Sequence, residues 1–301
     1  MTGSKEGVTS VPNESASGPS RRLDVYPKQG PLSEAAEVYA ARVLALAEGI
    51  EGDEVNYGAD VRQTLTVFRP HKPNGIVFLN FHGGGWKHGY KEWMYFMAPA
   101  FNAYGITLVS ATYRLAPENL FPTAFDDAAD AVAWVYRNIL PSMASGAHLF
   151  VGGHSAGGHH AALLAVTTEW RVERRLPLDL LDGCIPVSGV YRFGDGSGFE
   201  MRPQFLGPDM SNDFLASPVR RISDKHIPPF LITYGSRDYP NLMDQAIEMS
   251  AALRAESIPV EVELLEGHDH FETNIAASDP TAPWVKKTVA WMRKIASKQR
   301  A

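Results

Sequence analysis

Apolar and polar positions divide the chain into short apolar runs separated by amphipathic stretches. Ala36, Tyr39, Ala40, Val43 and Leu44 recur at helical spacing behind Ser33, with Glu34 and Glu37 in the first turn, which predicts a capped amphipathic helix. Strands are expected at 54–57 and 62–69, parted by Gly58-Ala-Asp60. Ile76-Val-Phe-Leu-Asn-Phe81 is almost continuously apolar, as befits an interior parallel strand covered on both faces. The pattern then predicts a helix over 91–104, a strand over 106–111, and a helix over 125–139 with Ala128, Ala131, Val132 and Val135 on one side. Leu149 to Val151 reads as a buried strand and Ala161 to Val166 as helix. Strands follow at 180–188, 230–234 and 260–265, with helices at 242–255 and 284–295. Strands alternating with helices predict an α/β fold with a doubly wound, mostly parallel central sheet, formed as one domain over 23–301.

Two intervals depart from this rhythm. Residues 1–22 are rich in Ser, Gly, Thr and Pro and cannot bury enough surface to order themselves, so a disordered leader is expected there. Residues 191–226 carry glycines and prolines among aromatics and no strand pattern. A long irregular segment inside a compact domain is usually functional, so this insertion, together with the helical stretch at about 31–50, is expected to form a small lid or cap.

Composition narrows the class of function. The chain has 301 residues, 45% apolar and 21% charged, which suits a globular enzyme with a sizeable core. A formal charge of -6 and no Lys/Arg cluster argue against nucleic acid as a partner. The start of the chain lacks an apolar signal region, and no run reaches the roughly 18 apolar residues of a membrane span, so a cytoplasmic protein without a membrane partner is expected. The single cysteine, Cys184, lies among Leu180, Leu181, Ile185 and Val187 and reads as core.

The chemistry centres on Gly153-His-Ser-Ala-Gly157, where the strand turns into the helix. A serine at the apex of a tight, strained turn between glycine flanks is the arrangement of a nucleophile elbow. Acyl transfer also needs fixed N–H donors for the charge that develops on the carbonyl oxygen. His82-Gly83-Gly84-Gly85, directly after the buried strand, can aim backbone N–H groups at Ser155, and Ala156 offers another. A serine hydroxyl further requires a base and a carboxylate to orient it. His270, just after the final strand, is favoured among the ten histidines, with His268 as a local competitor. Asp238, following the strand at 230–234, is favoured as the acid over Asp244 and Asp269. His154, His159 and His160 adjoin the serine but are turned away from its apex by the elbow, toward pocket wall or helix packing. No spacing has metal-ligand logic, and Gly83 to Gly85 lacks the Lys-Ser/Thr ending of a phosphate loop. No cofactor is expected.

These residues resemble, in order, the hormone-sensitive-lipase-like esterases of the α/β-hydrolase superfamily. The resemblance rests on His82-Gly-Gly-Gly-Trp86, Tyr113-Arg-Leu-Ala-Pro-Glu118 with Phe121-Pro122 and Asp126-Asp127, Gly153-x-Ser-Ala-Gly-Gly158, Asp238, and Gly267-His-Asp-His-Phe271. It covers most of the chain from Val55 onward and implies the α/β-hydrolase fold. It also implies a Ser155-Asp238-His270 triad and an oxyanion hole from Gly84, Gly85 and Ala156, and its Gly-x-x-His spacing favours His270 over His268. Two features depart from that pattern. His154 stands where the family commonly has an acid, and Gly-His-Ser-Ala-Gly, Ser188-Gly-Val-Tyr191 and the His-Phe pair are similar to kynurenine formamidases; yet Gly85 is often bulkier in those enzymes.

The expected activity is cleavage of carboxylic esters of small or aromatic substrates through an acyl-enzyme. The alternatives are an arylformamidase or other amidase with the same triad, and, in another class, a non-catalytic ligand receptor on this fold, against which the retained His270 counts. Trp86, His154, Phe193, Phe205 and Phe214, with the N-terminal helix, are the expected pocket walls. The expected partner is a small ester or amide; the sequence leaves acyl-chain length and oligomeric state open, a homo-oligomer included.

Overall fold

The structure is a computed structural model and describes residues 23–143, 146–199, 201–222 and 225–298. The expected leader at 1–22 lies outside the described residues. The strands are β1 (Asp53–Asn56), β2 (Thr64–Phe68), β3 (Ile76–Phe81), β4 (Thr107–Ala111), β5 (His148–His154), β6 (Gly183–Val187), β7 (Phe230–Arg237) and β8 (Val260–Asp269). The helices are α1 (Glu34–Leu46), α2 (Ala98–Asn102), α3 (Thr123–Asn138), α4 (Ala156–Val166), α5 (Glu169–Glu173), α6 (Asn212–Leu215), α7 (Pro240–Ala255), α8 (Glu272–Ile275) and α9 (Pro283–Lys298). The strands form one sheet in the order β1-β2-β4-β3-β5-β6-β7-β8. The β1–β2 and β2–β4 pairs are antiparallel and the rest parallel, as the doubly wound reading predicts.

The continuous apolar strands divide by parity between two cores. Val77, Leu79 and Phe81 of β3, with Leu149 and Val151 of β5, face one core alongside α3, α4 and α7. Ile76, Phe78 and Phe150 face the other, beneath α1, α2 and α9. Because successive side chains leave a strand on opposite faces, a run with no polar break is what burial on both sides requires. The carboxyl ends of β3, β5, β7 and β8 therefore share one edge of the sheet, where an open α/β sheet presents its ligand crevice.

Two elements differ from their predicted form, and the 191–226 segment, strandless among its described residues, agrees with it. Residues 91–97 are 3₁₀ and only 98–102 are α-helical; Pro99 has no N–H to donate to the carbonyl four residues back, so an unbroken helix through it would lose a bond. β5 runs on to His154, because Gly152 and Gly153 pair with Asn80 and Phe81 on one side and Ile185 and Pro186 on the other. Residues 191–226 contain no strand among those described, only α6 and two single 3₁₀ turns.

The crossing of β3, β5 and α4 is held at backbone contact by glycine. A Cβ at Gly157 would meet the carbonyl oxygen of Phe81 at 2.1 Å, and one at Gly153 would meet the Gly157 carbonyl carbon at 2.4 Å. Gly157→Ala is therefore expected to destabilise the protein by about 1–3 kcal/mol, through forced separation of α4 from β3. A urea denaturation curve unchanged from the parent would show that this contact is not tight.

Candidate active site

Ser155 sits between β5 and α4 with φ 54 and ψ -116. A non-glycine residue in this region carries a strain of about 1–3 kcal/mol, so its surroundings must impose it. Its N–H donates to the Val187 carbonyl at 2.9 Å, and its carbonyl accepts from His159 N–H at 2.9 Å, which locks the elbow to β6 and to the first turn of α4.

Asp238 and His270 follow the ends of β7 and β8, which pair in parallel with a register shift between Gly235 and Arg237. A Cβ at Gly235 would meet the His268 carbonyl oxygen at 2.1 Å, so the two strand ends approach there as closely as backbone can. His270 Nδ1–H donates to Asp238 Oδ1 at 2.9 Å. A carboxylate oxygen can only accept, so this bond places the proton on Nδ1 and leaves Nε2 as a base. Burial raises the Asp238 pKa, but hydrogen bonding to His270, the charge of that ring, and the Ser188 and Tyr239 donors outweigh burial and hold it below the usual carboxylate range.

A further ring of contacts fixes this pair. Ser188 Oγ–H donates to Asp238 Oδ2, and the Tyr239 N–H donates to Oδ1 at 2.7 Å. Ser188 also lies 2.9 Å from Thr273 Oγ1, whose hydroxyl donates to the His270 carbonyl at 2.7 Å. His154 Nε2–H donates to the same carbonyl at 2.7 Å. Asn274 Nδ2 donates to Tyr39 OH at 2.6 Å, tying the loop after β8 to α1.

The glycine turn after β3 is shaped by His82. Its Nδ1–H donates to the Gly83 carbonyl at 2.7 Å, its Nε2 accepts from Thr112 Oγ1 at 3.1 Å, and its ring stacks on Tyr113 at 4.3 Å. Gly84 and Gly85 follow with φ 120 and 61, values that glycine adopts without strain. No hydrogen bond among the described residues uses the N–H of Gly84, Gly85 or Ala156. The Tyr113-Arg114 segment is fixed by buried Asp127, which accepts from the Arg114 N–H at 2.8 Å and from its guanidinium.

A cavity of about 250 Å³ brings together Ser155, His270, Gly84, Gly85 and His154, with Tyr39, Trp93, Tyr239 and Phe271 as aromatic walls and Leu32, Ser33 and Ala36 as part of its roof. The expected contribution of the N-terminal helix is thus visible, and Ser33 caps α1 through Ala36 N–H. The pocket walls differ from expectation. Of the five side chains named from the sequence, His154 lines the cavity; Trp86, Phe193 and Phe205 do not. Those three bury one another, Trp86 stacking on Phe205 at 4.0 Å and donating to His159 Nδ1 at 3.1 Å. Aromatic rings of the irregular segment pack on one another and on Trp86 rather than on the cavity, and none of the described residues in 191–226 lines it. Phe214 is 50% exposed on α6. The competing candidates have other duties: His268 Nδ1 pairs with the Glu266 carbonyl, Asp269 accepts from Phe271 and Glu272 N–H groups, and Asp244 lies exposed on α7. Tyr39, Trp93, Tyr239, Phe271 and Thr273 carried no site signal of their own in the sequence, apart from Tyr239 and Phe271 adjoining Asp238 and His270. Among the described residues no His/Cys/Asp/Glu group could hold a metal ion, and no helix is long and apolar enough to cross a membrane.

Three buried histidines share one protonation state. Burial pushes His82 and His154 down to about 3 and His159 down to about 4; the charge of His270 adds to the effect at His154. Unfolded, each would take up a proton near pH 6.5. The folded values lie below the unfolded one, so the unfolded chain binds more protons in between, and stability that is full above about pH 6.5 falls as the pH drops toward about 4. The urea midpoint is expected to be clearly lower at about pH 5 than at about pH 7.5. Equal midpoints would mean that these rings accept protons in the folded state.

Comparison with known proteins bears on the fold and the family. Esterase LipC of Mycobacterium tuberculosis (strain ATCC 25618 / H37Rv) is 31% identical over 255 residues, covering 76% of this chain and 62% of LipC, so the chain spans about six-tenths of that relative's length. The kynurenine formamidase of Danio rerio is 26% identical over 259 residues, covering 80% of this chain and 84% of the formamidase. A tributyrin phosphonate-inhibited esterase B from Lactobacillus rhamnosis superposes with a TM-score of 0.73 at 19% identity, covering 88% of this chain and 94% of that one, a likeness of fold. The family described as alpha/beta hydrolase fold matches residues 78–273, a span that takes in the glycine turn, the elbow, Asp238 and His270. With the eight-stranded sheet and the strained serine at its edge, that match shows that the chain belongs to the alpha/beta hydrolase fold family.

Proposed function

We propose that this protein is a serine hydrolase that cleaves carboxylic esters of small or aromatic substrates through an acyl-enzyme, without a cofactor. The observation that carries the reading is that one cavity is lined by Ser155, by Gly84 and Gly85, and by His270, whose Nδ1 is bonded to Asp238.

In the proposed reaction, His270 Nε2 takes the proton of Ser155 Oγ as that oxygen attacks the ester carbonyl. Asp238 keeps the imidazole in the tautomer that can accept this proton and stabilises the imidazolium that results. The N–H groups of Gly84, Gly85 and Ala156 are free to receive the oxyanion. His270 then protonates the leaving alcohol, and water, activated by the same ring, releases the acyl group. Tyr39, Trp93, Tyr239 and Phe271 supply a flat apolar surface that suits an aryl or short acyl group.

A second reading, hydrolysis of an aryl formamide, draws on the match to a kynurenine formamidase and on His154 before the serine. The ester reading ranks first because the relative at higher identity is an esterase.

Ser155→Ala is expected to lower kcat/KM for a short p-nitrophenyl ester by about 10³-fold or more; retention of most activity would remove Ser155 from the mechanism. A kcat/KM for N-formylkynurenine well above that for short aryl esters would reverse the order of the two readings. Ser188→Ala is expected to lower kcat roughly tenfold and leave KM unchanged, because Ser188 bonds the acid without lining the cavity. A change confined to KM would contradict that role.

A further inference from the structure

Behind the His82–Gly89 turn lies a second cavity, of about 190 Å³, which the proposed chemistry does not use. Lys28, Arg62, Lys87 and Arg114 line it, against the carboxylates of Asp60 and Glu118. Arg114 is neutralised by Asp127. Arg62 is different. It is only 4% exposed, yet forms no salt bridge among the described residues. Its guanidinium reaches the carbonyl of Gly89 at 3.3 Å and that of Pro27 at 3.5 Å, and lies 5.1 and 5.6 Å from the ring centres of Tyr26 and Tyr90. Carbonyls and ring faces orient a guanidinium but bring no full negative charge. Asp60, the nearby carboxylate, spends Oδ1 on the Arg62 backbone N–H at 2.8 Å instead.

A buried cation that no carboxylate meets directly is costly: Asp60 acts on Arg62 through its charge but makes no salt bridge with it, which leaves the guanidinium able to take an anion from the cavity. Lys28 and Lys87 form no salt bridge among the described residues either. Lys28 is exposed and Lys87 half-buried on the turn itself. We infer that this cavity binds a small oxyanion, a carboxylate or phosphate group, through the fork of Arg62 with Lys28 and Lys87 closing over it. The site is set against the base of the glycine turn, because Gly89 is held on both its polar atoms by Gln29, at 3.1 and 2.8 Å, and on its carbonyl by Arg62. An anion drawn to Arg62 is thereby coupled to the segment that carries Gly84 and Gly85. The inference does not depend on whether the scissile bond is an ester or an amide.

The test is calorimetric titration of the full chain with inorganic phosphate and, separately, with succinate, ionic strength being held constant with sodium chloride. Saturable binding of at least one is expected, weakened about tenfold in Lys28→Gln/Lys87→Gln and lost in Arg62→Met. Binding of phosphate alone would identify a phosphoryl ligand, and of succinate alone a carboxylate. If Arg62→Met does not fold, the double variant, whose side chains are not buried, decides the matter. Binding of neither anion, or equal binding to parent and double variant, overturns the proposal.

Discussion

The structure depends on one constraint: the backbone of Ser155 must be held at φ 54 between a buried strand and a buried helix. That conformation is unfavourable by itself, and it persists because both neighbours are immovable. β5 is paired on both sides, and α4 is buried along its whole length. Gly153 and Gly157 let the strand, the helix and the end of β3 meet at backbone contact. The same approach brings the turn after β3 beside the serine. The positions of the serine and of the glycine turn therefore have one cause rather than two.

Burial holds three histidines around the site in their neutral form. His82, His154 and His159 each have a tautomer set by a carbonyl acceptor, and each is held neutral by its surroundings. As donors, His82 braces the glycine turn from within, His154 ties the loop after β8 to β5, and His159 ties Ala216 to α4. His270 differs in having its Nδ1 proton directed to a carboxylate, which leaves the other nitrogen basic at the cavity. His148 also has its Nδ1 on a carboxylate, that of Asp182 at 3.0 Å, but it does not line the cavity, so partner and position together set His270 apart.

Two of the aromatic groups, one walling the cavity and one packed away from it, are not distinguished by the sequence. Trp86, Phe193 and Phe205 close on one another and bury the irregular segment. Tyr39, Trp93 and Phe271 meet across α1 and the loop after β8, with Tyr39 stacked on Phe271 at 4.9 Å. Since Tyr39 also accepts from Asn274, the N-terminal helix is joined to the loop that carries His270. Part of the cavity roof and the loop bearing His270 are thus tied together.

Sequence alone determined much of this. Unbroken apolar runs such as Ile76 to Phe81 announce strands buried on both faces, and Gly153-x-Ser-x-Gly157 announces the elbow, because each depends on local backbone and side-chain demands. The register that sets Asp238 beside His270, the partners that fix Ser188, Thr273 and His154 around them, and the choice of which aromatics wall the cavity arise from contacts between residues far apart in the chain. A periodic pattern records that a side chain is buried, but not what it is buried against. That second fact, on which the pocket depends, was decided only when β7 and β8 paired and α1 closed over their ends.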